Sequence, residues 1–250
     1  MPSFSSDGLT LNYLDRGEGD PVLLIHGFAS NLQVNWVGTQ WVDTLVKAGY
    51  RVIAFDHRGH GQSEKLYDPA RYTIRDMAAD ALALLDSLGI ARADVVGYSM
   101  GARVGALLAI EHPDRVRSLV IGGMGGRLFE GAPKSDEIAK ALEAPSRDDV
   151  TDSYARTFRV FAEATKGDLK ALAAVIRSPR LPLTREMLGT ISSPVLVVVG
   201  TEDVVAGDPK VLAEAIPGAR AVEVEGRDHN RCVGDKVFKE AVVGFLAERT

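Results

Sequence analysis

Short runs of apolar residues alternate along most of this chain with longer segments in which apolar residues recur at helical spacing. The runs are four or five residues long, and such runs without polar alternation are typical of strands buried on both faces of a parallel sheet. They occupy residues 22–25, 52–55, 94–97, 118–121 and 195–199, and the helical segments occupy 37–48, 73–88, 100–112, 208–216 and 233–248. The alternation predicts an α/β fold in which helices cover both faces of a mostly parallel sheet.

The strands at the start of the chain are expected to pair as a hairpin rather than as part of the parallel sheet. The dipeptide Asp7-Gly8 lies between the segments 4–5 and 9–14, and it supplies the positive φ angles of a tight turn. The fold is therefore predicted to begin with a β-hairpin.

The alternation breaks between Gly125 and about Ser192. Three segments of this stretch have a helical pattern, 135–142, 149–163 and 168–176, and none reads as a buried strand. Their apolar side chains need a surface to pack on, and the mouth of the sheet is the nearest one. We expect residues 125–192 to form a helical cap insertion in a core made of residues 1–124 and 193–250.

Composition and charge narrow the classes of protein to consider. The 250 residues are 46% hydrophobic and 25% charged, which is ordinary for a globular domain that buries one continuous core. The formal net charge is −5, and no run of Lys or Arg marks a groove for a phosphate backbone. Nucleic acid is not an expected partner, and the oligomeric state is left open.

The single cysteine, Cys232, cannot form an intramolecular disulfide, so nothing requires an oxidising compartment. The first residues contain neither a basic region nor an apolar stretch, and no apolar run approaches the length of a membrane span. These features favour a cytoplasmic location and no membrane span.

The segment Gly97-Tyr98-Ser99-Met100-Gly101 lies where a predicted buried strand meets a predicted helix. A sharp turn at this junction strains the serine backbone and exposes its hydroxyl above the sheet, while the flanking glycines allow strand and helix to approach closely. The helix N-terminus adds backbone N–H groups that favour a developing oxyanion. The segment therefore indicates a nucleophile, Ser99.

A serine hydroxyl needs a base, and the five histidines of the chain compete for that role. His112 is at a helix end, where an imidazolium is favoured by the dipole without any catalytic task. His57 and His60 share one glycine-rich loop, which they are expected to organise. His26 directly follows an early strand, and His229 lies in a polar loop near the C-terminus.

Further segments accompany the nucleophile segment: His26-Gly27-Phe28, an Asp-x-Arg-Gly-x-Gly-x-Ser loop at 56–63, Gly200-Thr201-Glu202-Asp203 and His229. With them the chain resembles the α/β-hydrolase family over nearly its whole length, in its serine esterase-like branch. The order serine, acid, histidine along the chain is also that of the family.

The resemblance implies a role for each of these residues. Ser99 attacks, His229 shuttles the proton, and Asp203 holds the histidine in the required tautomer. The oxyanion hole implied by the family consists of the backbone N–H groups of Phe28 and Met100. His26 is then expected to support the loop rather than to react.

The acid is expected to be Asp203 rather than Asp208 or Asp228. Asp203 follows the buried run 195–199 after a short turn, which places it at the carboxyl edge of a parallel sheet, where α/β sites assemble. Asp208 precedes Pro209 at the expected start of a helix, so an N-cap role explains it. Asp228 is adjacent to His229 in sequence, a position from which a carboxylate rarely orients the ring.

No cofactor and no metal are expected. The chain has no dinucleotide fingerprint, phosphate loop or His-Glu-x-x-His zinc motif, and Asp56, His57 and His60 in a glycine-rich loop are poor evidence for a metal site.

The favoured function is hydrolysis of a small or medium carboxylic ester through an acyl-enzyme intermediate. The cap would line the substrate pocket with Phe158, Phe161 and Leu172 and select a small-molecule ester. Four alternatives stay open: a lactonase, a carbon-carbon bond hydrolase, an acyltransferase, and a ligand receptor that has kept the hydrolase shell. Gly101-Ala102, where many carbon-carbon bond hydrolases and enol-lactonases of the fold have Gly-Gly, weakens the first two of these without excluding them.

Overall fold

The computed structural model describes residues 1–130, 134–179 and 181–248, and it contains one eight-stranded sheet with the order β1-β2-β4-β3-β5-β6-β7-β8. The strands are β1 (Ser3–Ser6), β2 (Leu9–Arg16), β3 (Asp20–Ile25), β4 (Tyr50–Phe55), β5 (Ala93–Tyr98), β6 (Val116–Gly122), β7 (Val195–Gly200) and β8 (Arg220–Val224). β1 and β2 form the predicted hairpin, and β2 also runs antiparallel to β4. The remaining pairs, β4–β3, β3–β5, β5–β6, β6–β7 and β7–β8, are parallel. The predicted α/β fold is confirmed.

The helices follow the strands along the chain. They are α1 (Trp41–Lys47), α2 (Ile74–Ser87), α3 (Met100–Glu111), α4 (Ser135–Glu143), α5 (Ser153–Ala164), α6 (Leu169–Arg177), α7 (Arg185–Leu188), α8 (Pro209–Ala213), α9 (His229–Cys232) and α10 (Lys236–Glu248). Shorter 3-10 turns occur at Pro69–Tyr72, Gly126–Phe129 and Arg147–Asp149. No helix in the described part of the chain is both long and apolar enough to cross a membrane.

Both faces of the sheet are buried, which explains the continuous apolar runs. Successive side chains of a strand point to opposite faces, and Leu23 and Leu24 of β3 are both fully buried. Leu23 belongs to the core that includes residues of α2 and α3, whereas Leu24 packs with residues of α1 and α10. At the carboxyl edge, Ile25 is paired with Gly97, so the loops after β3 and β5 emerge side by side.

β8 has no counterpart in the sequence prediction. It is an edge strand, paired with β7 alone, and of its residues only Val224 is buried. Because an edge strand buries little, its sequence Arg-Ala-Val-Glu-Val carries no apolar run.

The helix expected at 37–48 begins later, at Trp41. Residues Gln33–Val37 form a π-helical turn, and Gln40 has a left-handed conformation with φ 65° that separates this turn from α1. The helices expected at 208–216 and 233–248 are also shorter than predicted, as α8 and α10 show.

Helices α4 to α7 lie between β6 and β7, within the stretch expected to be an insertion. Residues of α4, α5 and α6 form a hydrophobic core of their own, which also includes Ala29 from the loop after β3. The hydroxyl of Thr165 donates to the Ala29 carbonyl oxygen at 2.7 Å, so the helices are attached to the carboxyl edge of the sheet. Residues 131–133 and 180 of the predicted insertion lie outside the described residues, and its boundaries at 125 and 192 stay a prediction.

Candidate active site

Ser99 stands in the turn between β5 and α3. Its backbone is strained, with φ 54° and ψ −113°, and its N–H donates to the Gly122 carbonyl oxygen at 2.8 Å. A Cβ atom at Gly101 would lie 2.6 Å from the carbonyl oxygen of His26, and one at Gly97 would lie 2.6 Å from Cα of Ala102. Only glycines permit this approach, which holds the serine hydroxyl above the sheet.

His229 and Asp203 complete a chain of hydrogen bonds with Ser99. Nε2 of His229 lies 3.1 Å from Oγ of Ser99, and Nδ1 lies 2.7 Å from Oδ2 of Asp203. Because a carboxylate only accepts, Nδ1 carries the proton and Nε2 accepts from the serine hydroxyl. The Asp203 carboxylate is held from its other side, where Oδ1 accepts from the N–H groups of Val205 and Ala206, both at 2.9 Å.

The two competing aspartates have other partners. Oδ1 of Asp208 accepts from the N–H of Lys210 at the start of α8. Oδ1 of Asp228 accepts from the N–H groups of Asn230 and Arg231 at the start of α9. Both are N-caps, and the cap at Asp228 positions the helix that carries His229.

The N–H groups expected to form an oxyanion hole belong to Phe28 and Met100. Met100 is the first residue of α3, so its N–H has no partner within the helix. A Cβ atom at Gly27 would lie 3.3 Å from Cβ of Ser99, which brings the loop after β3 against the serine. Among the backbone hydrogen bonds that the described residues form in turns, loops and caps, none has the N–H of Phe28 or Met100 as its donor.

Two cavities open beside Ser99. The first has a volume of about 130 Å³ and is lined mainly by apolar side chains, including Phe28, Met124 and Val175. The second has a volume of about 140 Å³ and is lined by Ser99, His229 and polar residues such as Asn35. His229 lines the second cavity and not the first, so the two sides of the serine differ chemically.

The structure separates the three side chains that the sequence assigned to one pocket. Phe158 of α5 lines the first cavity, and its ring lies 6.1 Å from that of Phe28. Phe161 lines the second cavity. Leu172 lines neither: it is 1% exposed and packs in the core that α4, α5 and α6 share, so its assignment to the pocket is corrected.

Sequence reasoning missed the polar residues of the first cavity, above all Arg103 and Arg127, together with Tyr154. Arg103 belongs to α3, and no local pattern in the sequence indicated that it lines a cavity. Arg127 lies in a 3-10 turn that no pattern indicated.

The histidines of the loops after β3 and β4 are buried together. Nδ1 of His26 donates to the Gly27 carbonyl oxygen at 2.8 Å, and Nε2 accepts from the N–H of His57 at 3.0 Å. Burial lowers the pKa of His26 to about 4 and that of His60 to about 3, and it holds the pKa of His57 well below the usual range. The rings are therefore neutral at pH 7, and His26 connects the two loops.

Cys232 is fully buried, and burial raises the pKa of its thiol to about 12. A protonated thiol is a weak nucleophile, so Cys232 does not compete with Ser99. Among the residues that the structure describes, no three His, Cys, Asp or Glu side chains are grouped to hold a metal ion.

Comparison with known proteins agrees with this architecture. The family model of the alpha/beta hydrolase fold matches residues 20–142, and full-length relatives extend the match beyond it. The chain belongs to the α/β-hydrolase family.

Among its relatives is a putative non-heme bromoperoxidase, BpoC, from Mycobacterium tuberculosis, with 32% identity covering 88% of this chain and 91% of the relative. The rhodomycin D methylesterase DauP from a Streptomyces species is 30% identical, with 92% of each chain covered. Among solved structures, the enol-lactonase from Burkholderia xenovorans has a TM-score of 0.84 and 28% identity, covering 99% of this chain and 100% of that one.

Proposed function

We propose that this protein is a serine hydrolase that cleaves a small or medium carboxylic ester through an acyl-enzyme intermediate. The observation that carries the proposal is the hydrogen-bond chain from Ser99 through His229 to Asp203, with distances of 3.1 and 2.7 Å. A base within hydrogen-bond reach of a hydroxyl, itself oriented by a carboxylate, is the arrangement that activates a serine.

The reaction takes place in two steps. In the first, Oγ of Ser99 attacks the ester carbonyl, His229 takes the serine proton, and the oxyanion accepts hydrogen bonds from the N–H groups of Phe28 and Met100. His229 then gives the proton to the leaving alcohol as its C–O bond breaks. In the second step, water gives a proton to His229 and attacks the acyl carbon. The bond between the acyl carbon and Oγ of Ser99 then breaks, His229 returns the proton to Oγ, and the carboxylic acid leaves.

The two cavities suggest where each half of the ester binds. Because His229 must protonate the leaving alcohol, that group belongs on the side of the cavity that His229 lines. The acyl group then occupies the first, mainly apolar cavity. Its volume of about 130 Å³ favours short acyl chains, since it is smaller than most drug-sized sites.

Helices α4 to α7 would serve as the cap. Phe158 would contact the acyl group and Phe161 the leaving group, because these side chains line different cavities. The hydrogen bond from Thr165 to Ala29 ties this cap to the loop that carries Phe28.

A lactone is the second candidate substrate. Its acyl and alcohol parts are one molecule, and Ser99 lies between two cavities that such a molecule could span. The fold similarity to an enol-lactonase over the whole chain favours testing this class alongside linear esters.

A fluorophosphonate probe tests the proposal directly. We expect one adduct per chain by intact mass, mapped to the peptide that contains Ser99. The Ser99→Ala protein should not react and should lose at least about 10⁴-fold in ester turnover, because triad members act as a unit. The matched control is Cys232→Ala, which removes the single cysteine thiol of the chain and should keep the adduct.

A panel of 4-nitrophenyl esters of graded length and simple lactones would then define the substrate class. Unchanged turnover in purified Ser99→Ala, or an adduct mapped elsewhere, would refute the mechanism. A ligand receptor that has kept the hydrolase fold without its chemistry would give no adduct at all.

A further inference from the structure

The helices between β6 and β7 reach the turn that carries the Phe28 N–H. Gly27 to Ser30 form this tight turn, in which the N–H of Ser30 donates to the Gly27 carbonyl oxygen at 3.3 Å. The hydroxyl of Thr165, at the end of α5, donates to the Ala29 carbonyl oxygen in the same turn at 2.7 Å. We propose, on the basis of the function proposed above, that Thr165 is a positioning residue that holds the turn so that the Phe28 N–H faces the developing oxyanion.

Two hydrogen bonds hold the turn, one on either side of Phe28. Before it, the N–H of Gly27 donates to Oδ1 of Asn35 at 3.1 Å. After it, the Ala29 carbonyl oxygen accepts from Thr165, and no second donor among the described residues reaches this oxygen. Ala29 is 1% exposed, so bulk water has little access to its carbonyl group. The direction of the Phe28 N–H, which lies between the two anchored peptide groups, therefore depends on Thr165.

Ala29 has a backbone conformation that needs support from its surroundings. Its φ is 57°, in the left-handed region that glycine adopts readily and alanine rarely. A strained residue persists only where neighbouring contacts over-determine its conformation. The Ala29 side chain packs in the core that α4, α5 and α6 form, and its carbonyl oxygen binds Thr165. Removing the Thr165 hydroxyl removes one of these two constraints.

The end of α5 fixes the position of the Thr165 hydroxyl. The N–H of Gly167 donates to the Ala162 carbonyl oxygen at 2.8 Å, a bond that commonly closes a helix C-terminus. The Thr165 hydroxyl also lies 3.1 Å from this carbonyl oxygen. A hydroxyl has one proton to donate. Because the contact with Ala29 is shorter and the Ala162 oxygen already accepts from Gly167, we assign that proton to the bond with Ala29.

The helix that ends at Thr165 also lines both cavities. Phe158 of α5 lines the first cavity and Phe161 lines the second. A substrate that fills the cavities therefore contacts the helix that holds the turn. The proposal gives α5 a part in the rate of the reaction in addition to the choice of substrate.

Thr165→Val tests the proposal, because it removes the hydroxyl and keeps the shape of the side chain. We expect kcat/KM for a 4-nitrophenyl ester to fall about tenfold or more, but by less than the roughly 10²- to 10³-fold that removal of an oxyanion donor costs. Thr165→Ser keeps the hydroxyl and should restore most of the activity. Thr157→Val is the matched control, since the Thr157 hydroxyl donates within α5 to the Tyr154 carbonyl oxygen. It should leave kcat/KM unchanged.

A pair of ketone inhibitors separates positioning from general damage to the site. Butyl trifluoromethyl ketone forms a tetrahedral adduct with a serine: Oγ bonds to the carbonyl carbon, the serine proton passes to His229, and the carbonyl oxygen becomes the oxyanion. Butyl methyl ketone has a similar shape and binds without this addition. Thr165→Val should weaken inhibition by the trifluoromethyl ketone by about the factor lost in kcat/KM, and it should leave inhibition by the methyl ketone unchanged.

The outcomes separate this inference from the proposed function. Unchanged kcat/KM in Thr165→Val, an equal loss in Thr165→Ser or Thr157→Val, or an equal loss of affinity for both ketones would overturn the inference. None of these results affects the serine hydrolase proposal, which depends on the fluorophosphonate adduct at Ser99. If the wild-type protein forms no adduct, the hydrolase proposal fails and the inference fails with it. Should Thr165→Val not fold, Thr165→Ala, which also lacks the hydroxyl, takes its place.

Discussion

Replacing Asp203 by Asn tests the proposed triad most sharply, because the structure predicts how the new amide must lie. Oδ1 of Asp203 accepts from two backbone N–H groups, those of Val205 and Ala206, and Oδ2 faces Nδ1 of His229. Asparagine has one acceptor oxygen and one NH₂ group. With its oxygen towards the two N–H donors, its NH₂ group faces His229.

That orientation forces the wrong tautomer on the imidazole. Nδ1 must then accept, so Nε2 carries the proton and can no longer take one from Ser99. The opposite orientation would direct the NH₂ group at two buried N–H donors, at a cost of roughly 1–3 kcal/mol for each. We therefore expect turnover to fall by roughly 10²- to 10⁴-fold, up to about 5 kcal/mol of transition-state stabilisation.

The assay is the steady-state hydrolysis of a 4-nitrophenyl ester, with circular dichroism and thermal unfolding to show that the fold is kept. Asp208→Asn and Asp228→Asn are matched controls, since asparagine caps a helix about as well as aspartate. Both should stay within about tenfold of wild type. A larger loss in either control than in Asp203→Asn, or near-normal turnover in Asp203→Asn, would refute the reasoning.

Further predictions concern the pocket and the buried histidines. Phe158→Ala should change the preference among acyl chain lengths, and Phe161→Ala should change the preference among leaving alcohols. Neither substitution should change the reactivity towards a small fluorophosphonate by much. If ester turnover and fluorophosphonate reactivity fall in parallel, these side chains only support the fold. Because burial lowers the pKa of His26 to about 4, the stability that its neutral form contributes is present above pH 6.5 and is lost as the pH falls towards 4. Burial also holds the pKa of His57 well below its usual range. His57→Phe should therefore reduce the slope of unfolding free energy against pH between 6.5 and 5 by up to about 1.4 kcal/mol per pH unit, measured by urea titration, and an unchanged slope would contradict this.

Local patterns in the sequence were enough to predict the elements that are buried on both sides. β3, β5 and β7 have no polar alternation because each has a covered face on either side, and Gly97 and Gly101 mark a junction where strand and helix nearly touch. These features depend on neighbours in sequence, so they can be found without coordinates.

Features that depend on distant parts of the chain could not be predicted in this way. β8 buries little and depends on pairing with β7, so its sequence has no signature of its own. Leu172 and Phe158 are both apolar and lie on neighbouring helices, yet only tertiary packing decides that one faces its helical partners and the other the cavity.

The same distinction holds for the candidate site. The sequence by itself identified Ser99, Asp203 and His229 as chemically suitable residues in a suitable order. Only the tertiary structure brings His229, 130 residues further along the chain, within 3.1 Å of Ser99. It also places Arg103 of α3 in the lining of the first cavity, which depends on the distant segments that pack around this helix rather than on the helix sequence.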